Sequence, residues 1–136
     1  MIPVVVDSGP LFAAFNRRDP AHSDSANLLR RTDLEFFVPV LCIAEVAYLI
    51  ARDFGARAEA LFISGCSGLS IVTPDEPTWK RMAEIMMQYS DFPLGAADAE
   101  VVATAERFDA KTIATLDHRH FAAIRPKHIE AFTLLP

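Results

Sequence analysis

Few residues of this sequence belong to the types that build disulfide frameworks or glycine-rich phosphate loops. Only 2 of the 136 residues are cysteine and only 5 are glycine. Cys42 lies in an apolar run, and we expect both thiols, Cys42 and Cys66, to be inert in a reducing cytoplasm because free buried cysteine is common. The glycines do not form a phosphate-cradling loop, and no serine stands in a nucleophile elbow. The sequence therefore excludes a disulfide-stapled module and offers no case for a Ser-His-Asp hydrolase.

Long hydrophobic runs are also missing. A membrane span needs roughly 18 or more apolar residues, and no segment approaches that length. The segment from Met1 to Asp7 has no positive region before its short apolar run, so it predicts a first strand and not a signal peptide. We therefore expect a cytoplasmic protein.

The sequence has no excess of positive charge. Its formal net charge of −5 argues against a general polyanion-coating protein, although a local basic patch can still contact nucleic acid. The 136 residues are 51% hydrophobic, which is enough for one ordinary core. No repeat or linker interrupts the chain, so we expect a single domain over residues 1–136.

Hydrophobic patterning alternates between strands and helices along the chain. The predicted strands are 2–6, 35–38, 69–72, 112–116 and an edge strand at 132–135. The first predicted helix starts near the capping Ser8-Gly9-Pro10 and continues through 11–15. The other predicted helices are 21–31, 40–53, 56–63, one running to Tyr89, and 94–108. This alternation predicts an α/β domain with a mainly parallel sheet covered by helices.

Four acidic residues interrupt or close apolar stretches, namely Asp7, Glu45, Asp98 and Asp117. Ionised carboxylates beside a core are costly unless positive charge meets them. One hard divalent cation, bound through oxygen, is the economical partner for several dispersed acids. The pattern therefore predicts a metal-dependent phosphoryl-transfer site.

Glu45 and Asp98 are assigned from helical patterning. Glu45 is the only charged residue from Phe36 to Ala51, so we expect it to face the interior or the floor of a cleft. Asp98 lies within the apolar stripe of its helix, whereas Glu100 and Glu106 fall outside it and are expected to be solvated. A buried salt bridge for Glu45 and a boundary cap for Asp98 remain the structural alternatives.

Asp7 and Asp117 are assigned from their places in the predicted sheet. Each follows a strand, and the carboxyl ends of parallel strands are where sites form in such sheets. Ser8 and Thr115 stand beside them as supporting hydroxyls for metal water or phosphate, or as local caps. An aspartate after a strand is also often an N-cap or a turn residue.

The ordered set of motifs resembles a PIN-domain endoribonuclease, specifically a VapC-type toxin of a type II toxin–antitoxin system. The matching pieces are Val-Val-Asp7-Ser8, Ala44-Glu45-Val46, Pro93-Leu94-Gly95-Ala96-Ala97-Asp98-Ala99 and Thr115-Leu116-Asp117-His118-Arg119-His120-Phe121. Each motif is short, but their order and spacing match from end to end. One departure is Ser8, where the family more often has threonine, and serine keeps the hydroxyl.

This resemblance implies a PIN-like three-layer α/β/α domain and an endoribonuclease dependent on Mg²⁺ or Mn²⁺. Asp7, Glu45 and Asp98 would bind the cation directly or through water, and Asp117 would act through water or by orienting the other ligands. Whether one ion or two bind stays open. The resemblance also implies a cognate VapB-type antitoxin whose tail threads the active-site groove, a homodimer, and a larger toxin–antitoxin assembly.

Basic residues supply a candidate RNA-contacting surface. It comprises Arg17, Arg18, His118, Arg119, His120 and Arg125. Phe121 could stack on a base, or it could belong to the core. His118 and His120 lack a third ligand at the spacing of a structural zinc site.

Two other functions remain as alternatives. A phosphatase with an aspartyl nucleophile at Asp7 would typically carry another aspartate two residues later, where this chain has Gly9. A non-catalytic RNA-binding or scaffold module on the same fold would not need all four acids.

Overall fold

A computed structural model describes residues 1–136, which form one five-stranded sheet with helices on both faces. The strands are β1 (Ile2–Val6), β2 (Leu34–Pro39), β3 (Ile71–Val72), β4 (Thr112–Ala114) and β5 (Thr133–Leu135). Their order is β3-β2-β1-β4-β5, and every pairing is parallel. Successive strands lie to one side of β1 and then to the other, so the sheet has its topological switch point between β1 and β4. The predicted α/β class is confirmed.

Seven α-helices connect and cover these strands. They are α1 (Ser8–Phe15), α2 (His22–Leu29), α3 (Val40–Phe54), α4 (Ala56–Gly65), α5 (Glu76–Gln88), α6 (Ala96–Arg107) and α7 (His118–Ala122). None is both long and apolar enough to cross a membrane.

The sheet separates two hydrophobic cores. Val5 of β1 faces a core built mainly from α5 and α6, while Val4 and Val6 face a core built from α1, α2 and α3. Successive side chains of a strand point to opposite faces, which is why three consecutive valines are all fully buried. Two helical layers on one sheet give the expected three-layer arrangement.

Most predicted elements occur where the hydrophobic pattern placed them, with differences at their ends. Helix α6 begins at Ala96 and not at Leu94, because Gly95 occupies the N-cap position. Strand β4 ends at Ala114, two residues early, because the chain turns toward the short helix α7. Helix α7 was not predicted, since five residues carry too little periodicity to identify a helix.

Cys42 and Cys66 are free and buried, as expected.

The prediction of a solvated Glu100 is wrong. Its side chain is fully buried, and its Oε1 accepts a hydrogen bond of 2.8 Å from the backbone N–H of Leu41. Leu41 lies in the first turn of α3, where Pro39 at the N-cap position makes no side-chain cap bond. Glu100 therefore caps α3 from the neighbouring helix. Burial raises the pKa of the Glu100 carboxyl, and the backbone amides of Leu41 and Val40 oppose that rise.

The prediction of a solvated Glu106 is also wrong. Its carboxylate receives two hydrogen bonds from the Arg81 guanidinium, at 2.7 and 3.0 Å, and one from the N–H of Lys127 at 2.7 Å. These bonds join α5, α6 and the segment before β5. The Arg81 guanidinium and the Lys127 amide hold the pKa of Glu106 below its ordinary value even though burial opposes them.

Replacing Glu100 by alanine tests its capping role. Glu100→Ala leaves the Leu41 amide without its acceptor and should lower the free energy of unfolding by ~1–3 kcal/mol. Glu100→Gln keeps an acceptor oxygen and should cost less. The matched control is Glu35→Ala, an exposed acid on β2, which should stay within ~0.5 kcal/mol of wild type. Urea unfolding measures all three, and equal stability of Glu100→Ala and Glu35→Ala would contradict the assignment.

Candidate active site

A polar pocket opens at the carboxyl ends of β1 and β4, at the switch point of the sheet. Its volume is about 340 Å³, and its lining residues are Asp7, Ser8, Gly9, Glu45, Asp98, Leu116 and Asp117. All four predicted acids thus lie around one cavity, although they come from four separate parts of the chain. Asp7 and Asp117 lie at the edge of the sheet, and Glu45 and Asp98 lie on helices α3 and α6.

Asp7 is the most buried of the four acids, with 7% of its surface exposed. It occupies the N-cap position of α1, yet its side chain makes no conventional cap bond to the helix. Its Oδ2 instead accepts a 2.9 Å hydrogen bond from the Thr115 hydroxyl. Burial raises the pKa of Asp7 to about 6; the Ser8 amide and the Thr115 hydroxyl oppose the rise, and the carboxylates of Asp98 and Glu45 add to it.

The two predicted supporting hydroxyls both contact acids of the pocket. Thr115 is fully buried, donates to Asp7 and accepts a 3.0 Å bond from the backbone N–H of Asp117. The hydroxyl of Ser8 donates to Oε1 of Glu45 at 2.6 Å. Thr115 therefore links the two strand ends, and Ser8 links the start of α1 to α3.

Glu45 lines the pocket, but helix α3 is not buried on nearly every side. Ala44, Glu45 and Tyr48 form an exposed face, and Tyr48 is 66% exposed. Alanine and tyrosine read as apolar in the sequence although they tolerate solvent, so the pattern overstated the burial of α3. Of the two positions expected for Glu45, the structure places it in a cleft and not in the interior.

Asp98 occupies the first turn of α6 and has a structural bond as well as a place in the pocket. Its Oδ2 accepts a 3.0 Å hydrogen bond from the backbone N–H of Gly95, which is the capping role held open as an alternative. The Nε2 atom of His120 lies 3.6 Å from the same oxygen. With 29% of its side chain exposed, Asp98 stands at the boundary between core and pocket.

Asp117 likewise combines two positions. Its Oδ1 accepts a 3.1 Å bond from the backbone N–H of His120, so it is the N-cap of α7. Its side chain is exposed and also lines the pocket.

The pocket carries negative charge with no lysine or arginine paired to it. Of the eight ion pairs in the structure, only the His120–Asp98 contact involves any of the four acids. The carboxylates are not already converged as a group of three ligands around one point, since each is turned toward a local hydrogen-bond donor. Their donor atoms are all oxygen and fit a hard cation such as Mg²⁺ or Mn²⁺.

The predicted RNA-contacting residues do not form one surface. His118 and Arg119 are exposed beside Asp117, and His120 is buried with 9% of its surface exposed. The Arg125 guanidinium donates a 2.7 Å bond to the carbonyl of Ala122, at the end of α7. Arg17 and Arg18 line a different pocket, beyond the far end of α1.

Three residues at or beside the pocket were missed by sequence reasoning. Gly9 and Leu116 line it, and a Cβ at Gly9 would lie 3.3 Å from Cβ of Leu116, so a larger residue there would require Leu116 to shift by a few tenths of an ångström. Phe92 stacks on His120 with ring centroids 4.8 Å apart. Of the two positions left open for Phe121, the structure shows the core, since this side chain is 1% exposed. No pattern in the sequence distinguishes Phe92 from an ordinary core aromatic.

Known proteins resemble this chain in sequence and in fold over nearly its whole length. The PIN domain family model matches residues 4–126. The chain is 30% identical to Ribonuclease VapC26 of Mycobacterium tuberculosis over 135 residues, which cover 98% of this chain and 100% of that protein.

Solved structures show the same fold at lower identity. The crystal structure of Mycobacterium tuberculosis VapC20, described as a Sarcin-Ricin loop cleaving toxin, superposes with a TM-score of 0.78 at 17% identity, covering 96% of this chain and 99% of that one. A toxin–antitoxin complex from Klebsiella pneumoniae superposes with a TM-score of 0.69 at 18% identity, covering 89% and 92%. The shared fold, the family match and the full-length identity agree, and this chain belongs to the PIN-domain family as a homologue of the VapC ribonuclease toxins.

Proposed function

We propose that this protein is a Mg²⁺- or Mn²⁺-dependent endoribonuclease toxin that cuts RNA, inhibits translation and growth, and is neutralised by a cognate antitoxin. The observation that carries the proposal is the pocket of four carboxylates with no lysine or arginine paired to it. Relatives named as ribonuclease and toxin support the same reaction class. A scaffold module on this fold would have no need to keep all four acids around one cavity.

Asp7, Glu45 and Asp98 are the residues that would hold the cation, with Asp117 acting through water or on the orientation of the others. When bound, such a cation offsets negative charge on the phosphodiester and eases the attack of water on phosphorus. The Thr115 hydroxyl fixes Asp7, and the Ser8 hydroxyl fixes Glu45, so both carboxylates are oriented before substrate arrives.

The reaction proposed is hydrolysis by in-line displacement. The oxygen of water forms a bond to phosphorus, the bond from phosphorus to the 3′-oxygen breaks, and that oxygen leaves with a proton as a 3′-hydroxyl. The other product carries a 5′-phosphate. The carboxylates are the groups in the pocket that can accept the proton lost by water.

Asp98→Asn tests the acidic pocket, because the amide oxygen can still accept the hydrogen bond from Gly95. Cleavage of RNA in Mg²⁺ or Mn²⁺ should fall by at least about a hundredfold, the scale on which loss of one transition-state contact acts. Cleavage is followed on gels, and ligation to 5′-phosphate ends maps the cut sites.

The control for this variant is Glu35→Gln, which removes an exposed carboxylate outside the pocket and should cut like wild type. Thermal unfolding should be similar for both variants, so lost cleavage would not reflect lost folding. Wild-type cleavage by Asp98→Asn would exclude the site.

The raised pKa of Asp7 links the stability of the protein to pH. Folded Asp7 holds its proton up to about pH 6, whereas in the unfolded chain the ordinary value is 3.8. The Asp7 carboxyl therefore contributes its full stabilisation of the fold below pH 3.8, the ordinary pKa. That contribution is lost as the pH rises through the folded pKa of about 6. Above that, ionised Asp7 costs on the order of 2–3 kcal/mol when no cation is present.

Asp7→Asn should remove this dependence. In EDTA at pH 8 the variant should unfold at a higher urea concentration than wild type, and the difference should shrink toward pH 4. Mg²⁺ or Mn²⁺ should stabilise wild type more than the variant. The measurement is urea unfolding across pH, with and without the cation. A difference that stays constant from pH 4 to pH 8 would contradict the assigned pKa.

We infer that a part of the antitoxin other than the tail, which the family resemblance places in the active-site groove, docks in an apolar groove beside α1 and α4. The groove has a volume of about 270 Å³ and is lined by Leu11, Ala14, Phe15, Leu29, Leu61, Phe62, Gly65, Cys66 and Leu69. Leu61 is 65% exposed in it. Phe15 also borders the next pocket, where Arg17 and Arg18 lie. That pocket also holds one acid, Asp53, so its two arginines outnumber its acids, and an amphipathic segment with acidic flanks complements the apolar wall and this rim. The homodimer expected from the family resemblance stays a prediction.

Leu61→Asp should abolish co-purification with the antitoxin, sought as the product of a small gene directly upstream, because a buried aspartate would face the apolar wall of the groove. The matched control is Ile63→Asp, since Ile63 is 50% exposed on the same helix but does not line the groove. Growth rescue by co-expression gives a second measurement. Retained capture by Leu61→Asp would place the antitoxin elsewhere.

A further inference from the structure

A second cavity adjoins the acidic pocket. It measures about 290 Å³ and is lined by Phe92, Pro93, Asp117, Arg119, His120 and Ala123. Asp117 belongs to both cavities, so a group bound in the second lies directly beside the acids.

His120 lines the second cavity and lies against Asp98, which lines the acidic pocket. Phe92 stacks on this ring, with centroids 4.8 Å apart and planes 28° apart, and the buried Phe121 meets it edge-on at 5.2 Å. The Nε2 atom is buried, has no hydrogen-bond partner and lies 3.6 Å from Oδ2 of Asp98. One aromatic unit, Phe92 with His120, therefore borders the second cavity and contacts an acid of the first.

The lining chemistry selects among possible occupants. The half-buried Phe92, backed by the His120 ring on which it stacks, offers aromatic surface, the exposed Arg119 offers hydrogen-bond donors, and Asp117 offers acceptors. A bare phosphate would be repelled by Asp117, and an aliphatic group would leave both charged side chains unmatched. A nucleobase has a π face for the aromatic wall and a polar edge for the charged groups.

We propose that this cavity is a subsite for one base of the RNA, that of a nucleotide flanking the scissile phosphate. The proposal rests on the proposed ribonuclease activity and adds a source of sequence preference to it. A base can enter the cavity only when it is unstacked from its neighbours, so the preferred substrate is a loop or a single strand.

The cleavage test compares an intact RNA with copies carrying an abasic ribose on either side of the mapped cut. Wild type should cut the intact RNA about tenfold to a hundredfold faster than one abasic copy, the contribution of one stacked base. Phe92→Leu keeps the apolar bulk and loses the π face. The ratio of its cleavage rates on intact and abasic RNA should therefore fall to nearly one. Phe92→Tyr should retain the preference.

Arg119→Gln provides a second variant whose folding is not at risk, because Arg119 is exposed. It should weaken the preference for the intact RNA and change which bases are favoured at that position. Equal cutting of all three RNAs by wild type would overturn the subsite while leaving the ribonuclease proposal standing. Full discrimination by Phe92→Leu would overturn it as well.

If no RNA is cut, the ribonuclease proposal is refuted. A binding test then still decides whether the second cavity takes a base. NMR titration with the four nucleoside 5′-monophosphates should shift the ring signals of Phe92 and His120, and ribose 5-phosphate should not. The shift of the His120 ring signals should vanish in Phe92→Leu. Equal shifts with ribose 5-phosphate would mean that the cavity takes the sugar phosphate and not the base.

Discussion

The arrangement of this protein around its site depends on holding four carboxylates around one pocket, with one of them, Asp7, almost removed from water. Asp7 is nearly buried, and the carboxylates of Asp98 and Glu45 are near enough to raise its pKa further. Repulsion between such groups opposes folding. Neutral hydrogen-bond donors offset this repulsion. The hydroxyls of Thr115 and Ser8 and the backbone amides of Gly95 and His120 each donate a hydrogen bond to one acid. These donors fix the acids without neutralising them, so the charge stays available for a cation.

The same bonds show that a structural role and a functional one do not exclude each other here. Asp98 and Asp117 each use one carboxylate oxygen to cap the start of a helix while lining the pocket. A cap fixes the position of the side chain relative to the backbone, which is what a ligand needs. Substitution by alanine removes both roles at once, whereas asparagine separates them because it keeps an acceptor oxygen.

The sequence predicted the sheet and the pocket better than it predicted the packing between helices. Three valines before Asp7 indicated a buried strand. Because parallel strands bring their carboxyl ends to one edge of a sheet, the sequence alone predicted that Asp7 and Asp117 lie together. Glu100 could not be placed in this way. Its partner, Leu41, is 59 positions distant, and nothing in the local pattern of α6 shows that the start of α3 lacks its own cap. Phe92 was missed for a similar reason, because its stacking partner comes from α7, a helix too short to predict.

The buried bond between Glu100 and Leu41 connects directly to the geometry of the pocket. Glu45 lies four positions after Leu41 on α3, and Asp98 lies two positions before Glu100 on α6. A single hydrogen bond therefore joins the two helices within about one turn of both acids. A rotation or slide of α3 along α6 would break that bond, and the same movement would change the separation of Glu45 and Asp98. Burial raises the pKa of the Glu100 carboxyl and leaves its second oxygen without a partner, while its first oxygen ties the start of α3 to α6 beside these two acids.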